Sequence, residues 1–212
     1  MLKNSADVSK ATVDRLPLYF RTLRQVQSEG IEIISSEDLG RRIGVTPEQI
    51  RKDLASFGEF GKKGVGYFVR ELIRNISEIL GLHRNWNVAI IGVGHLGWAL
   101  ANYRSFSSIG FTVAALFDAD PAKIDQYVNG LVVSAIDDLE KIVKERDIHI
   151  GVITVPAHEA QDVANRLVAA GVRGIWNFAP VVLKVPEDIW LVSEDLSVGL
   201  SSISYYLSRN TK

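Results

Sequence analysis

Apolar residues recur at helical spacing through the first third of the chain, and short apolar runs alternate with amphipathic segments after it. In the first third this pattern predicts helices over 13–29, 35–44, 47–57 and 69–82. Further along it predicts strands over 88–91, 111–117, 131–134, 149–154, 174–178 and 189–193, with helices over 137–145, 159–170 and 195–207. We therefore expect an α/β protein in which a helical N-terminal region precedes a parallel sheet with right-handed crossovers.

The predicted helix over 47–57 follows a short helix and a tight turn. Its start shows a capping pattern, with Thr46 as the N-cap, Pro47 at the first position and Gln49 as the reciprocal cap. Three apolar residues predict its buried face: Ile50, Leu54 and Phe57. Two short helices of which the second presents basic and small residues are typical of a helix-turn-helix, although a solvated face of any helical domain is the alternative.

The stretch 60–69 predicts a hairpin whose turn is Lys62-Lys63-Gly64. A basic hairpin directly after such a helix is typical of the wing of a winged helix, and it favours DNA binding over the solvated face. Within 41–63, six basic residues face three acidic ones, which suits a polyanionic partner. The candidate DNA-contacting residues are Thr46, Gln49, Arg51, Lys52, Ser56, Lys62, Lys63 and Gly64.

A second motif, Gly92-Val-Gly94-His-Leu-Gly97, lies between a predicted strand and a predicted helix. Gly92 permits a tight turn, Gly94 lets the backbone approach a pyrophosphate, and Gly97 lets the helix pack close to the sheet. The start of the helix offers free N–H groups and the positive end of its dipole to phosphates. The motif therefore predicts a dinucleotide-binding site at the carboxyl end of the sheet.

Asp118 follows the next predicted strand, 21 residues after Gly97. This is near the spacing of the carboxylate that binds the adenosine ribose hydroxyls. The alternative is a turn residue, but Asp120 is the better candidate for a turn and a helix cap, since Pro121 suits a first helical position. Because no Arg or Lys follows Asp118 before Lys123, NAD(H) is favoured over NADP(H).

Composition narrows the class of protein. The chain has 212 residues, a formal net charge of −1 and 47% hydrophobic residues, which is ordinary for one or two globular domains. It contains no cysteine, which excludes disulfides and thiolate metal sites, and its histidines show no metal-ligand spacing, so we assign no metal. Neither a membrane-spanning apolar run nor a signal peptide is evident, and we expect a cytoplasmic protein.

Two other functions compete with DNA binding. An NAD-dependent dehydrogenase would need a proton-transfer residue, and His158 is the tempting one. We expect His158 to cap or decorate a helix start, with Glu159 adjacent rather than facing it, and we assign no catalytic residue. A nucleotide-binding module of the CoA-binding type would explain neither Asp118 nor the wing.

Four segments, 45–67, 92–97, 177–183 and 204–207, together resemble the Rex family of redox-sensing transcriptional repressors. The most specific is RKDL-x-x-FG-x-FG-K-x-GVGY over 51–67. The resemblance spans nearly the whole chain. It implies a homodimer that exchanges its C-terminal helices, a palindromic operator, and release of DNA when NADH binds. It also implies that NAD⁺ competes for the site and favours the DNA-bound state.

The resemblance further implies a nicotinamide pocket near the loops 154–156 and 177–180, close to the last helix of the partner subunit. Arg21 and Asp195 match the family's interdomain contact, and Tyr103 matches an aromatic position of the same switch. Members often carry a basic residue where this chain has His95, a departure that leaves open whether His95 contacts the cofactor. The cofactor-binding candidates are Gly92, Val93, Gly94, His95, Leu96, Gly97, Asp118, Thr154, Val155, Pro156, Asn177, Phe178 and Ala179.

The expected organisation has three parts. Residues 1–82 form a winged helix-turn-helix domain, and residues 83–193 form a Rossmann-type NAD(H)-binding domain. Residues 194–212 form a C-terminal helix that is more apolar than a terminal helix needs to be. Docking on its own domain and packing into a second subunit are the two possibilities for it, and the resemblance implies exchange between subunits.

Overall fold

The computed structural model describes residues 8–62 and 64–210, with the backbone alone at position 210. The chain divides into two compact units, Met1–Arg84 and Asn85–Lys212. Each unit has its own core and is described by itself.

The first unit combines helices with a small antiparallel sheet. In chain order its elements are α1 (Lys10–Ser28), β1 (Ile33–Ile34), α2 (Ser36–Ile43), α3 (Pro47–Ala55), β2 (Gly61–Lys62), β3 (Gly66–Phe68) and α4 (Val69–Ile79). The strands lie in the order β1, β3, β2, so that the hairpin of β2 and β3 is anchored on β1. Two helices joined by a tight turn and followed by this hairpin make a winged helix-turn-helix.

Local signals explain where the helices of this unit begin and end. Gly44 ends α2 with a left-handed φ of 71°. Thr46 caps α3, because its side chain accepts a hydrogen bond from the Gln49 N–H at 3.2 Å. The α2–α3 turn is so tight that a Cβ on Gly40 would overlap the carbonyl oxygen of Val45. The predicted burial of the apolar face of α3 is confirmed for all three residues: Ile50, Leu54 and Phe57.

The second unit is a parallel sheet flanked by helices. Its elements are β4 (Trp86–Ile91), α5 (His95–Ala101), β5 (Phe111–Asp118), β6 (Tyr127–Val128), β7 (Leu131–Ala135), α6 (Leu139–Glu145), β8 (Ile150–Ile153), α7 (Ala157–Ala170), β9 (Gly174–Asn177), β10 (Trp190–Ser193) and α8 (Leu196–Asn210). The strands lie in the order β10-β9-β8-β4-β5-β7-β6. All pairs are parallel except β6–β7. The chain builds outward from β4 on one side and then crosses back to β8, which makes the β4–β8 boundary the topological switch point.

Alternate residues of the central strands pack on opposite faces of the sheet. Ala89 and Ile91 join one apolar cluster with α6 and α7, whereas Val88 and Ile90 join another with Ala101 of α5. Because both faces of β4 are buried, its sequence reads as a continuous apolar run. The α/β fold predicted from the pattern is confirmed.

Asp120 was expected to serve a turn or a helix cap, and the structure has the turn. No helix begins there; its side chain accepts from the Ala122 N–H at 2.9 Å and its carbonyl from the Lys123 N–H at 3.0 Å. The edge strand β6, antiparallel to β7, was not expected, since two residues are too few for a periodic signal.

The last helix, α8, presents apolar side chains to solvent. All its described side chains are exposed, including Leu200 at 71% and Ile203 at 55%. On the edge strand β10, Trp190 and Val192 are also exposed, at 82% and 52%. Exposed apolar surface of this kind is typical of an interface. In the part of the chain that the structure describes, no helix is long and apolar enough to cross a membrane.

Candidate functional site

The glycine-rich loop 92–97 leaves the carboxyl end of β4 at the switch point of the sheet. Gly92 has a φ of 95°, and a Cβ there would lie 2.9 Å from Cγ1 of Val155. A Cβ on Gly97 would overlap the carbonyl oxygen of Gly92, so α5 packs against the turn itself. A Cβ on Gly94, by contrast, would meet nothing within 4 Å. The first and third glycines serve the turn and the packing, and the second leaves space where a ligand would approach the backbone.

Thr154, at the end of β8, holds the glycine-rich loop from the neighbouring strand. Its N–H donates to the Ile91 carbonyl at 2.9 Å, and its hydroxyl lies 2.7 Å from the Gly92 carbonyl and 3.0 Å from that of Ile91. These bonds fix two consecutive carbonyl groups at the point where the chain turns out of β4. Thr154 therefore supports the loop, while Pro156, at the start of α7, is exposed.

Asp118 is 8% exposed at the end of β5, and its carboxylate already has three donors. Oδ2 accepts from the Val93 N–H at 2.7 Å and from Lys123 Nζ at 3.0 Å, and Oδ1 accepts from the Asp120 N–H at 2.9 Å. Burial raises the pKa of Asp118, but these hydrogen bonds outweigh it and lower the pKa below its ordinary value. The bond to Val93 ties the glycine-rich loop to this charged carboxylate. Lys123 is a partner that sequence spacing missed, although its place in the turn after β5 was a signal.

Asn177, at the end of β9, is wholly buried. Its Nδ2 donates to the Ala179 and Val181 carbonyls at 3.0 and 3.1 Å, and its Oδ1 accepts from the Ala179 N–H at 3.0 Å. Its amide is therefore engaged in shaping the loop 177–181. Phe178 of the same loop packs on Trp176 with ring centroids 4.5 Å apart.

A row of aromatic rings leads from this loop to Tyr103. Trp176 lies 6.2 Å from Phe106, and Phe106 lies 5.0 Å from Tyr103, both edge-on. Tyr103, a predicted switch residue, is 55% exposed. Sequence reasoning did not find Phe106 or Trp176, since rings contributed by separate elements share no periodicity.

The other predicted residues of this unit lie near helix starts. His95 is exposed and Leu96 half-buried in the first turn of α5. Asp195 caps α8, with Oδ1 accepting from the Ser197 N–H and hydroxyl at 2.8 and 2.6 Å, and these bonds lower its pKa. His158 is exposed at the start of α7, where Glu159 does face it, with Oε1 3.4 Å from its Nε2. Our expectation that Glu159 would not face it is wrong.

In the first unit, the outer side of α3 carries the predicted basic residues. Arg51 and Lys52 are exposed, with Arg51 paired to Glu48 at 2.7 Å, while Ser56 is half-buried. Gln49 does not act as the reciprocal cap that we predicted. Its Nε2 donates instead to Asp53 at 2.8 Å, because the carboxylate is within reach one turn ahead. Arg21 is exposed on α1.

Asp53 is 1% exposed and is the residue of α3 that sequence reasoning missed. Arg15 donates to both its oxygens, at 2.6 and 2.7 Å, and Tyr19 donates at 2.6 Å. Burial alone would raise the pKa of Asp53, but the bonds from Arg15, Tyr19 and Gln49 lower it to about 2. This carboxylate fastens α3 to α1. An acid three residues after Ile50, on the apolar face, was the available signal.

The wing follows α3 and turns at Lys62–Val65, where the Val65 N–H donates to the Lys62 carbonyl at 3.0 Å. Gly64 has a φ of 80°, and Lys62 Nζ lies 5.5 Å from the centroid of the Phe68 ring. Lys63 lies outside the described residues. A groove of about 620 Å³ separates the wing from the end of α3 and is lined by both, Arg51, Ala55 and Lys62 included. Among residues 8–62 and 64–210, no three side chains of the metal-binding types come together.

Each of the two units matches a different protein family. Residues 7–55 match the family described as a putative DNA-binding protein N-terminus, and residues 83–181 match the CoA binding domain family. The second match is to the class that we weighed as an alternative for the nucleotide-binding unit. Neither match covers both units.

Full-length relatives join the two units. The chain is 50% identical to the redox-sensing transcriptional repressor Rex of Syntrophobacter fumaroxidans over 96% of this chain and 97% of that protein. It is also 50% identical to Rex of Roseiflexus sp. strain RS-1, over 93% and 90%. These relatives are named as repressors and not as enzymes.

Solved structures agree over the same length. The crystal structure of RSP in complex with β-NADH is 40% identical, with a TM-score of 0.89 over 97% of this chain and 96% of that one. RSP in complex with β-NAD⁺ and operator DNA is 41% identical, with a TM-score of 0.91 over 97% and 94%. RSP is described as a Rex-family repressor. Because identity and structure agree across both units, this chain belongs to the Rex family of redox-sensing transcriptional repressors.

Proposed function

We propose that this chain represses transcription as a homodimer that binds palindromic operator DNA and releases it when NADH binds. NAD⁺ competes for the same pocket and favours the DNA-bound state. The observation that carries the proposal is the presence, in one chain, of a winged helix and of a glycine-rich loop that is open only at Gly94. RSP, which resembles both units, has been crystallised with NADH and with NAD⁺ and operator DNA. We therefore also propose that the protein acts in the cytoplasm, where bacterial DNA lies.

For the cofactor, we propose two kinds of residue. Direct contacts come from the open backbone of the loop and from the carboxylate of Asp118, which faces the adenosine ribose. Thr154 and Asn177 support these contacts, because their polar atoms already hold loop backbone. The other candidates are proposed to line the pocket around Gly94: Gly92, Val93, His95, Leu96, Gly97, Val155, Pro156, Phe178 and Ala179. NADH supplies binding free energy and undergoes no reaction.

For DNA, we propose that α3 enters the major groove and that the wing contacts the adjacent backbone. Lys52 suits a phosphate or a guanine, and Arg51 suits a base edge once it leaves Glu48. Gln49 would read a base only by leaving Asp53, which makes it the weaker candidate. The supporting contacts are proposed for Thr46, Ser56, Lys62, Lys63 and Gly64.

For the dimer, we propose that α8 packs into a second copy of the chain. Its exposed apolar residues and the exposed Trp190 and Val192 of β10 offer surface of the kind that obligate dimers bury. A contact between Arg21 and Asp195 would differ between the DNA-bound and the NADH-bound states. Tyr103 would couple cofactor binding to this contact. A coupling of about 1–3 kcal/mol between the two sites is enough for such a switch.

The test is operator binding in the presence of each cofactor. A duplex selected by the protein from a random library is labelled, and its affinity is measured by fluorescence anisotropy without cofactor, with NADH and with NAD⁺ at fixed salt. We expect NADH to weaken binding by about 5- to 150-fold. Equal affinity with NADH and NAD⁺ would contradict the sensor proposal.

A CoA-type nucleotide is a second candidate ligand, because residues 83–181 match the CoA binding domain family. Titration of the protein with acetyl-CoA, followed by tryptophan fluorescence, separates the two. Binding of acetyl-CoA without binding of NADH would favour the second candidate. The reverse result would exclude it.

A further inference from the structure

We infer that Lys123 is part of the adenosine ribose site and sets how strongly the protein prefers NADH to NADPH. This inference rests on the proposed function. Its starting point is the ion pair between Lys123 Nζ and Asp118 Oδ2 at 3.0 Å. Spacing in the sequence assigned Asp118 alone to the ribose and set Lys123 aside.

The carboxylate of Asp118 has little hydrogen-bond capacity left for a ribose. A carboxylate has about four lone-pair positions. Three are taken, by the Val93 N–H, the Asp120 N–H and Lys123 Nζ. One acceptor position on Oδ1 remains, whereas a ribose offers two hydroxyl donors. A second hydroxyl would therefore have to share Oδ1 with the first hydroxyl and with the Asp120 N–H, which weakens each bond to that oxygen.

The ammonium group of Lys123 has hydrogen-bond donors left for a ligand. An ammonium group has three donors. Within the described residues its side chain makes one hydrogen bond, the bond to Asp118. Its side chain is 37% exposed beside a carboxylate side chain that is 9% exposed, so part of the lysine stays accessible from solvent while the carboxylate is buried. With Asp118 accepting from one hydroxyl, Lys123 can donate to the hydroxyl oxygens, and the pair then binds the diol as a unit.

A charge consequence follows for a ribose that carries a 2′-phosphate. Asp118 repels the phosphate, which disfavours NADPH, but the ammonium 3.0 Å away attracts it. Lys123 thus narrows the preference for NADH that Asp118 creates. Loss of Lys123 should weaken both cofactors and weaken NADPH more.

The experiment is a titration of the full chain with NADH and NADPH, followed by cofactor fluorescence. Lys123→Met is expected to weaken NADH about 10-fold, the loss of one charged hydrogen bond, and to widen the NADH preference by about another 10-fold. Lys123→Arg should keep the wild-type preference. Lys141→Met, at an exposed lysine of α6, is the matched control and should change neither affinity.

A second background separates direct contact from support of Asp118. In Asp118→Asn, Lys123→Met should still weaken NADPH about 10-fold, because the phosphate contact does not pass through the carboxylate. If Lys123→Met does not lower the NADPH affinity any further in that background, the inference is overturned. It is also overturned if Lys123→Met alone lowers the NADH and NADPH affinities by the same factor. A wild-type chain that binds neither cofactor overturns the proposed function itself, a distinct result. Thermal melting of each variant shows that the fold is retained.

Discussion

Replacement of Asp53 by Asn removes a buried negative charge that joins α1 to α3, the helix proposed to contact DNA. The carboxylate accepts five hydrogen bonds, from Thr12, Arg15 through two nitrogens, Tyr19 and Gln49. An amide of the same size cannot accept all of them, and it leaves the guanidinium of Arg15, which is 27% exposed, without its counter-charge. We therefore expect a large loss of stability confined to the first unit.

Two estimates of that loss agree in order of magnitude. Removing one partner of a buried ion pair costs about 3–5 kcal/mol. The pKa of Asp53 is about 2 in the folded chain, against about 3.9 unfolded, and that difference corresponds to about 2–3 kcal/mol. Because the folded pKa is the lower one, this stabilisation is fully present above about pH 4 and is lost as the pH falls through about 2.

The positions of the tryptophans allow the two units to be followed separately. Trp86, Trp98, Trp176 and Trp190 are the four in the sequence, and all lie in the second unit. In Asp53→Asn, the far-UV circular dichroism transition in urea should move to lower denaturant or split, while the tryptophan fluorescence transition stays in place. For a unit of this size each kcal/mol moves the midpoint by about 4–8 °C, so thermal melting gives a second measure.

The matched control is Asp14→Asn, because Asp14 forms an exposed pair with Lys10 on the same helix α1. Such a pair contributes about 1 kcal/mol or less. A loss in Asp53→Asn no larger than that in Asp14→Asn would refute the assignment of Asp53 as the anchor of α3. A wild-type chain whose first unit becomes more stable on acidification toward pH 2 would refute it too, since the ion pair is expected to lose its stabilising effect there.

Three further predictions test other parts of the molecule. Lys52→Ala should lower the slope of log affinity against log salt for operator DNA by about 0.9, and Lys10→Ala should not; an unchanged slope for Lys52→Ala means no phosphate contact. Gly94→Val should abolish NADH binding measured by fluorescence, because the new side chain fills the space where the cofactor would approach the backbone. The loss of stability should be only about 1 kcal/mol, since a Cβ at this position meets nothing within 4 Å. Retained binding would contradict a backbone approach at this position. Leu200→Glu should shift the mass measured by light scattering from dimer to monomer, because it charges the exposed apolar face of α8; an unchanged mass would contradict dimerisation through this helix.

Local chemistry made much of the fold predictable. Gly44 and Thr46 mark the end of α2 and the start of α3 through a left-handed φ and a side-chain cap, and both signals involve only neighbouring residues. The turn at Gly92 was predictable for the same reason, since its φ of 95° favours glycine. At Asp120 the sequence left a turn and a helix cap open, because a proline after an acid suits both, and the structure has the turn.

The sequence by itself determined the α/β class, the winged helix, the glycine-rich loop and the family resemblance, because these depend on periodicity, turn residues and short motifs. Only the tertiary structure decided that Asp53 is buried, that Thr154 and Asn177 hold loops, and that Lys123 joins Asp118. The physical reason is distance along the chain. The bonds from Tyr19 to Asp53 and from Thr154 to Gly92 span 34 and 62 residues, and such pairs form only where strand order and helix packing bring their ends together.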